Sequence, residues 1–345
     1  MRPPFEIAAE TVRSGTRCLI DIPIARLSNH TPVSLPIHVI HGRRTGPTLF
    51  ISAAIHGDEI LGVEIIRRLL NTKGLDALKG TLLCVPIVNA FGFLAQTRYL
   101  PDRRDLNRVF PGSPSGSLAG QLAYLFLNEV VARCDLGIDL HTGAINRSNL
   151  PQVRADFSNP DLKRIAAAFA APVILQSTAR DGSLRQAAYE LDVDVVIYEA
   201  GEALRLDEIS VRAGVRGILQ VMHELGMLGP KFAKSSKTRS VFAGSSQWVR
   251  APEGGLFRAF KTLGDSIAED DVIGVVTNPY EGGDTDVRSV FDGVIIGRTN
   301  ISVVNRADAL FNIASVRGPD SAQGQIERIS CELERDHAFD EDEIA

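Results

Sequence analysis

His56 and Glu59 stand three residues apart in the run His56-Gly57-Asp58-Glu59, and His141 follows inside Asp139-Leu140-His141-Thr142-Gly143. An imidazole and a carboxylate at H-x-x-E spacing, at the mouth of a helix, can grip one metal ion. A second imidazole from a separate segment supplies the third ligand. Two histidines and one carboxylate, with a fourth position left for water, form the ligand set of a catalytic rather than a structural zinc site. Such a site holds one ion per chain and draws the pKa of its water toward about 7. An H-x-x-E pattern alone arises by chance in many chains, and the bland reading is that both histidines satisfy backbone groups near the surface. Three features add to it: His56 closes an apolar run that reads as a strand, Glu59 opens the next helix, and His141 ends another strand beside Asp139. Asp139 is placed to orient a ligand from behind.

A water nucleophile also needs a base that takes its proton and returns it to a leaving amine. Glu199, in Ile197-Tyr198-Glu199-Ala200-Gly201-Glu202, ends a hydrophobic run, where burial can raise a carboxylate's pKa toward neutrality. Glu202 is close enough to exchange roles, although a helix N-terminal carboxylate is its commoner meaning. Arg98 and the run Asp105-Leu106-Asn107-Arg108 lie in a segment ending in Phe110-Pro111-Gly112. A guanidinium forks onto a carboxylate, and another can steady an oxyanion on a polarised carbonyl. With an anionic substrate in view, Arg98, Asn107 and Arg108 read as functional; Arg103 and Arg104 read as structural or solvated.

The elements that must position these residues are legible as a pattern. Apolar runs at 48–55, 81–88, 136–140 and 193–198 alternate with helical periodicity after residue 63, over 118–134 and over 208–225. Continuous apolar strands alternating with helices imply a largely parallel sheet covered on both faces, an α/β fold with functional groups gathered at the strands' carboxyl ends. His56, Asn89, His141 and Glu199 each fall just after one of those runs, so four polar residues converge on one crevice. Residues 17–22 and 33–40 alternate and read as edge strands, while 231–239 reads as a linker. Beyond it, frequent glycines between short β-branched runs indicate a smaller all-β module. The expected division is a catalytic α/β domain over 1–234, a β module over 235–320 and a partly disordered acidic tail over 321–345.

Bulk properties bound the partners. The 345 residues favour two domains, and 44% hydrophobic with 23% charged residues is ordinary for a soluble protein. A net charge of −5 and a pI near 5.9 argue against nucleic acid, which needs basic stripes. Met1-Arg2-Pro3-Pro4 lacks an apolar leader and no run is long enough to span a membrane, so a cytoplasmic location is expected. Of the four cysteines, Cys84 and Cys134 sit in or beside apolar runs and read as core, Cys18 and Cys331 stay undecided, and none forms a C-x-x-C pair. A homo-oligomer stays open.

HGDE, the strand end at Asn89, RYLPDRRDLNRVFPG, DLHTG and YEAGE, in that order, resemble the succinylglutamate desuccinylase/aspartoacylase family of the zinc-carboxypeptidase-like superfamily, over about residues 47–315. The resemblance implies that His56, Glu59 and His141 hold zinc and that Glu199 is the general base and acid. It implies that Arg98 polarises the scissile carbonyl, that Asn107 and Arg108 hold a substrate carboxylate, and that Asn89 supports its loop. The chain resembles most the group containing bacterial N-acetyl-diaminobutyrate deacetylases. The insertion before DLNR, the stretch Asn149-Leu150-Pro151-Gln152-Val153-Arg154 and Gly182-Ser183-Leu184-Arg185 carry that likeness. Arg154 and Arg185 are then further candidates for shaping the pocket. The longer spacing from Arg98 to Asn107 than in the mammalian aspartoacylase type leaves the acyl group and amino acid open. Residues 240–314 resemble a barrel-sandwich fold of the biotinyl/lipoyl kind, but the turn at 280–285 has no lysine, so capping the active-site mouth or an oligomer contact fits better than a carrier role. The expected function is a zinc-dependent amidohydrolase acting on a small anionic N-acyl amino acid. The alternatives are a carboxypeptidase using the same ligands, or a catalytically silent metal-binding scaffold.

Overall fold

A computed structural model of the chain describes residues 2–232, 238–280 and 282–336. It opens on a hairpin, β1 (Phe5–Ile7) and β2 (Glu10–Val12), followed by β3 (Thr16–Arg26) and β4 (Pro32–His41). Then come β5 (Arg44–Ala53), α1 (Leu61–Asn71), β6 (Lys79–Val85), α2 (Ala90–Ala95) and α3 (Leu118–Glu129). The site half closes with β7 (Leu136–Gly143), β8 (Arg147–Ala155), α4 (Pro160–Phe169), β9 (Val173–Gln176), α5 (Leu184–Tyr189), β10 (Asp194–Glu202) and α6 (Glu208–Glu224). Side-chain caps fix where the helices begin: Asn89, Ser117, Asn159, Ser183 and Asp207 each accept a backbone N–H of α2, α3, α4, α5 and α6.

Strands β6, β5, β7 and β10 run parallel in that order, as their apolar runs require. The sheet as a whole is mixed. β8 pairs antiparallel with β10, and β4 and β3 extend the far side antiparallel; of the two expected edge strands only β3 is at the edge, since β4 is paired on both sides. Alternation along each strand divides the core between the two faces. Leu49, Ile51, Ile138, Leu140, Val196 and Tyr198 pack with α1, α4 and α6, whereas Phe50 packs with α3. The other alternates of β7 and β10, Asp139, His141, Ile197 and Glu199, therefore face away from the first helical layer. His141 and Glu199 lie inside strands rather than just past them, at their carboxyl ends.

The turn from β5 to α1 carries His56 and Glu59, with Glu59 just before the cap residue Ile60. It is pressed against α2: a Cβ on Gly57 would lie 1.9 Å from the carbonyl carbon of Gly92. Only glycine lets these two backbones approach so closely, and the contact seats His56 beside the loop that follows α2.

After residue 238 the chain is β-rich as expected. β11 (Val241–Ala243), β12 (Ser245–Arg250), β13 (Gly255–Ala259), β14 (Ser266–Ile267) and β15 (Val272–Thr277) precede β16 (Asp284–Arg288), β17 (Gly293–Thr299), β18 (Val303–Val304) and β19 (Ala309–Ser315). β16, β15, β13 and β18 build a separate four-stranded sheet, whereas β11 pairs parallel with β9 and β17 pairs antiparallel with β8 and β19, so the large sheet runs on into this half. Of the expected linker over 231–239, residues 233–237 lie outside the described residues, as do 337–345. The tail expectation is corrected over 321–334: α7 (Pro319–Glu334) is a helix burying Ala322, Ile326, Ile329 and Leu333. Their spacing of four, three and four forms one apolar stripe that the acidic composition masks. Arg212 on α6 donates from Nη1 to the carbonyls of Leu333 (3.2 Å) and Glu334 (2.8 Å), placing a cation at the helix's negative end. Cys84 and Cys134 are buried, Cys18 is half-buried and Cys331 exposed. No helix among the described residues is long and apolar enough to cross a membrane.

Because Leu333 is 0% exposed within the core beneath α6, Leu333→Ala should cost about 2–5 kcal/mol in urea unfolding. A loss within about 0.5 kcal/mol, the range of ordinary surface changes, would mean that α7 is not packed as described.

Candidate active site

Three segments meet at Glu59. The β5–α1 turn brings His56, whose Nδ1 lies 2.7 Å from Glu59 Oε1; the end of β7 brings His141, whose Nδ1 lies 2.7 Å from Glu59 Oε2. Thr142 donates its backbone N–H to the same Oε2 at 3.2 Å. The far nitrogen of each ring is held by a further carboxylate: His141 Nε2 by Asp139 Oδ2 at 2.7 Å, and His56 Nε2 by Asp105 Oδ1 at 3.1 Å. Asp139 and His141 are i and i+2 on one strand and so share a face; Ser52 Oγ, on the neighbouring strand, steadies Asp139 Oδ1 at 2.7 Å. The third segment, the loop after α2, brings Arg98, which donates to Asp105 Oδ2 from Nε (3.1 Å) and Nη2 (2.9 Å) and from Nη1 to Glu59 Oε1 (3.2 Å).

The electrostatics follow from packing so much charge away from water. Burial would push the Glu59 carboxyl up, but His56 and His141 outweigh it and hold it below the usual carboxylate range. Burial likewise opposes a charged His141, yet Asp139 and Glu59 raise its pKa well above the ordinary imidazole value. His56 is raised in the same way by Glu59 and Asp105 against its own burial. Three carboxylates around two imidazoles demand positive charge at one spot. His56, Glu59 and His141 each offer a ligand atom, all within 4.8 Å of one another, and form the one such three-residue group among the described residues. A carboxylate behind each imidazole, fixing its tautomer, is how metal-binding histidines are ordinarily held. The donor set therefore fits a divalent ion such as zinc.

One cleft of about 170 Å³ contains this group. Its walls include His56, Glu59, Arg98, Asn107, Arg108, His141, Arg154, Arg185 and Glu199; Asn89, expected to converge on the same crevice, does not line it. Thr142, Ser177, Arg180, Ser183 and Ile197 complete it. Arg103 and Arg104 do not line it, and Arg104 sits in the open near Asp102. Glu199 and Glu202 separate clearly. Glu199 faces the cleft, whereas Glu202 lies outside it, accepting from the backbone N–H of Asn146 (2.9 Å) and from Asn300 Nδ2 (2.8 Å). The surroundings of Glu199 are polar rather than apolar: Arg154 Nη2 lies 2.8 Å and Asn149 Nδ2 2.9 Å from its Oε2.

Around the rim, Asn107 Oδ1 accepts from the backbone N–H of Leu184 at 2.8 Å, and Phe110 donates its N–H to Gly182 O at 3.0 Å, fastening the arginine loop to the start of α5. Among the described residues the Arg108 guanidinium bonds only its neighbour's carbonyl, Nη1 to Asn107 O at 2.5 Å. Asn89 caps α2 through Gly92 N (2.8 Å) and donates to Arg98 O (3.4 Å), supporting the loop from below the cleft. Arg185 donates from Nη2 to Ser177 Oγ at 3.1 Å and to the carbonyl of Thr178, while its Nε and Nη1 are buried without a partner among the described residues. Burial, with Arg154 nearby, lowers its pKa to about 10. Residues that sequence reasoning left without a role were Asp105, whose partner is 49 positions away, and Arg180, which sits in a polar loop with no spacing signal.

Comparison with known proteins completes the description. The chain is 27% identical over 296 residues to the N-alpha-acetyl-L-2,4-diaminobutyric acid deacetylase of Halomonas elongata, covering 82% of this chain and 86% of that one. Its fold is similar to a succinylglutamate desuccinylase/aspartoacylase from Rhodobacter sphaeroides (TM-score 0.78, 24% identity, 87% of this chain and 96% of that one). It is equally similar to the product-bound ectoine utilization protein EutE (DoeB) from Ruegeria pomeroyi (TM-score 0.77, 24% identity, 87% and 94%). Residues 45–225 match the family model for the succinylglutamate desuccinylase/aspartoacylase catalytic domain, which takes in the metal-ligand group, the arginine loop and Glu199; the chain belongs to this family.

Proposed function

We propose that the chain is a zinc-dependent deacylase that hydrolyses the amide bond of a small anionic N-acyl amino acid. The observation that carries the reading is one small cleft in which a His56–Glu59–His141 group stands beside Glu199 under a wall of arginines. His56, Glu59 and His141 would hold the ion. When bound, it supplies Lewis acidity that makes water a competent nucleophile near neutral pH and polarises a carbonyl. Glu199 takes the proton from water as it attacks the acyl carbon, and returns it to the amine nitrogen as the amide bond breaks. The products are a carboxylate and a free amine. Arg98 stands over the ligand carboxylate, where a guanidinium offsets the negative charge that develops on the carbonyl oxygen.

Substrate charge is met by the arginines whose donors are not fully used. Arg185 is the strongest candidate, because a buried guanidinium with two unpaired nitrogens is costly until an anion fills the place. Arg108, whose guanidinium is committed among the described residues only to the preceding residue's carbonyl, also lines the cleft. Asn107 spends its side-chain oxygen on α5 and so holds the rim beside Arg108. The likeness to the Halomonas enzyme makes N-acetyl-diaminobutyrate the first substrate to try. We also read the chain as a catalytic unit over 1–234 followed by a β module, located in the cytoplasm.

The direct test is hydrolysis of N-acetyl, N-formyl and N-succinyl amino acids, following the released amine. Turnover of one of them, and none of blocked peptides, is expected; cleavage of peptides alone would move the assignment to a carboxypeptidase, and no turnover at all to a silent scaffold. Glu199→Ala should keep its metal and lose about 10²–10⁴-fold in kcat; full activity would remove Glu199 as the base. Arg185→Met should raise KM about tenfold or more without lowering the melting temperature, since a charge with unpaired donors is replaced by an apolar chain. An unchanged KM would show that Arg185 does not meet the substrate.

A further inference from the structure

One hydrogen bond and one ion pair reach Glu199, and both fall on the same oxygen. Arg154 Nη2 and Asn149 Nδ2 meet Oε2 at 2.8 and 2.9 Å, and among the described residues Oε1 receives no hydrogen bond. A carboxylate tethered through one oxygen is fixed in rotation and keeps the other free for a proton. The backbone supports the same aim. Both ladders of β10 slip register immediately after Glu199, against β7 before Glu202 and against β8 before Gly201. Bulges next to reacting groups re-aim side chains in this way. Asn149 itself is buried and does not line the cleft, so it reaches a substrate only through Glu199.

Asn149 is in turn set from behind by the C-terminal half of the chain. Gly297 on β17 is its register partner, and a Cβ there would lie 2.9 Å from Asn149 Oδ1 and 3.2 Å from Asn312 Cβ. The φ of Gly297 is not in the left-handed region, so the position demands glycine for space rather than for backbone freedom. Neighbouring bonds pin the two strands at this level: Asn300 Nδ2 donates to Ser148 Oγ (2.7 Å) and to Glu202 Oε2 (2.8 Å), and the Arg147 guanidinium lies 5.4 Å from the centre of the Trp248 ring.

We propose that Asn149 is a positioning residue for Glu199, seated against Gly297 of β17, so that the C-terminal β strands are part of what aims the general base. Arg154 belongs to the same tether through Nη2, while its buried Nε has no partner among the described residues. The inference rests on the reading of Glu199 as the base, and it gives the β-rich half a role that neither capping the mouth nor joining a second subunit describes.

The experiment is steady-state kinetics of the metal-loaded full chain on the best substrate of the panel, with Asn149→Leu and Gly297→Ala beside the wild type. Asn149→Leu removes the donor at similar volume; Gly297→Ala pushes on the Asn149 amide from outside the cleft. Each should lower kcat by about tenfold to a hundredfold, the scale of a misplaced reacting group, with KM within about twofold and metal content unchanged. A kcat equal to wild type in either folded variant overturns the proposal, as does a loss carried by KM or matched by loss of metal. If Asn149→Leu does not fold, Gly297→Ala decides by the same criterion. A wild type silent on every N-acyl amino acid removes the deacylase reading and this inference together. An active wild type with a fully active Glu199→Ala variant removes the base and its tether while leaving the deacylase.

Discussion

The Glu59 carboxylate, 2% exposed and shared between two imidazoles at 2.7 Å each, is the interaction on which the rest of the site depends. A charge placed there costs several kcal/mol in lost hydration unless it is paired and hydrogen-bonded. Its surroundings are the compensation: two imidazoles, the Thr142 N–H and the Arg98 guanidinium on Glu59 itself, with Asp105 and Asp139 behind the imidazoles. These groups come from segments far apart in sequence, so their meeting requires a fixed strand register. Ser52 pairs with Asp139 across β5 and β7, and His141 with Glu199 across β7 and β10. A slip of one residue would send His141 or Glu199 into the apolar layer with Tyr198 and Leu140. The fully buried strand β7 resists that slip because each alternate side chain is already packed.

The same constraint explains the shape of the cleft. Once the strand ends hold the ligand group, the loop after α2 and the start of α5 have to close over it, and Asn107 ties the two together through Leu184 N. Arginines then gather where they have partial, not complete, partners. Arg154 is on Glu199, Arg98 on Glu59 and Asp105, and Arg185 retains unpaired nitrogens. The cleft wall is cationic although the chain carries a net charge of −5, which shows how little a global charge says about a local one.

The grouping of His56, Glu59 and His141, the parallel strands and the place of Glu199 in the cleft were legible in the sequence because each leaves a local mark: an H-x-x-E run, continuous apolar stretches, a carboxylate at a strand end. The choice of Glu199 over Glu202 was legible only as a preference; their separation depends on the bulge in β10 and on Asn300 from 98 positions away. Asp105 behind His56 and Asn149 behind Glu199 left no mark, since both act through partners that only the tertiary fold brings near. β8 and β9 escaped notice for a related reason: β8 is antiparallel beside β10 and carries polar Asn149, Gln152 and Arg154, so it lacks the apolar run of a central strand. Helix α7 was obscured differently, its four buried residues diluted by acidic neighbours that dominate any count of composition. Pattern of period, more than composition, would have found it.

The proposed chemistry stands on His56, Glu59 and His141 holding one ion together. Calorimetric titration of zinc into metal-stripped protein, for the wild type and for His141→Ala, asks this of the molecule itself. One tight ion per chain is expected in the wild type, with binding weakened by about a hundredfold or more in the variant, since a site of three protein ligands loses one outright. A wild type that takes up no zinc, or a variant that binds it as well as the wild type, would mean that these three residues are not a metal site.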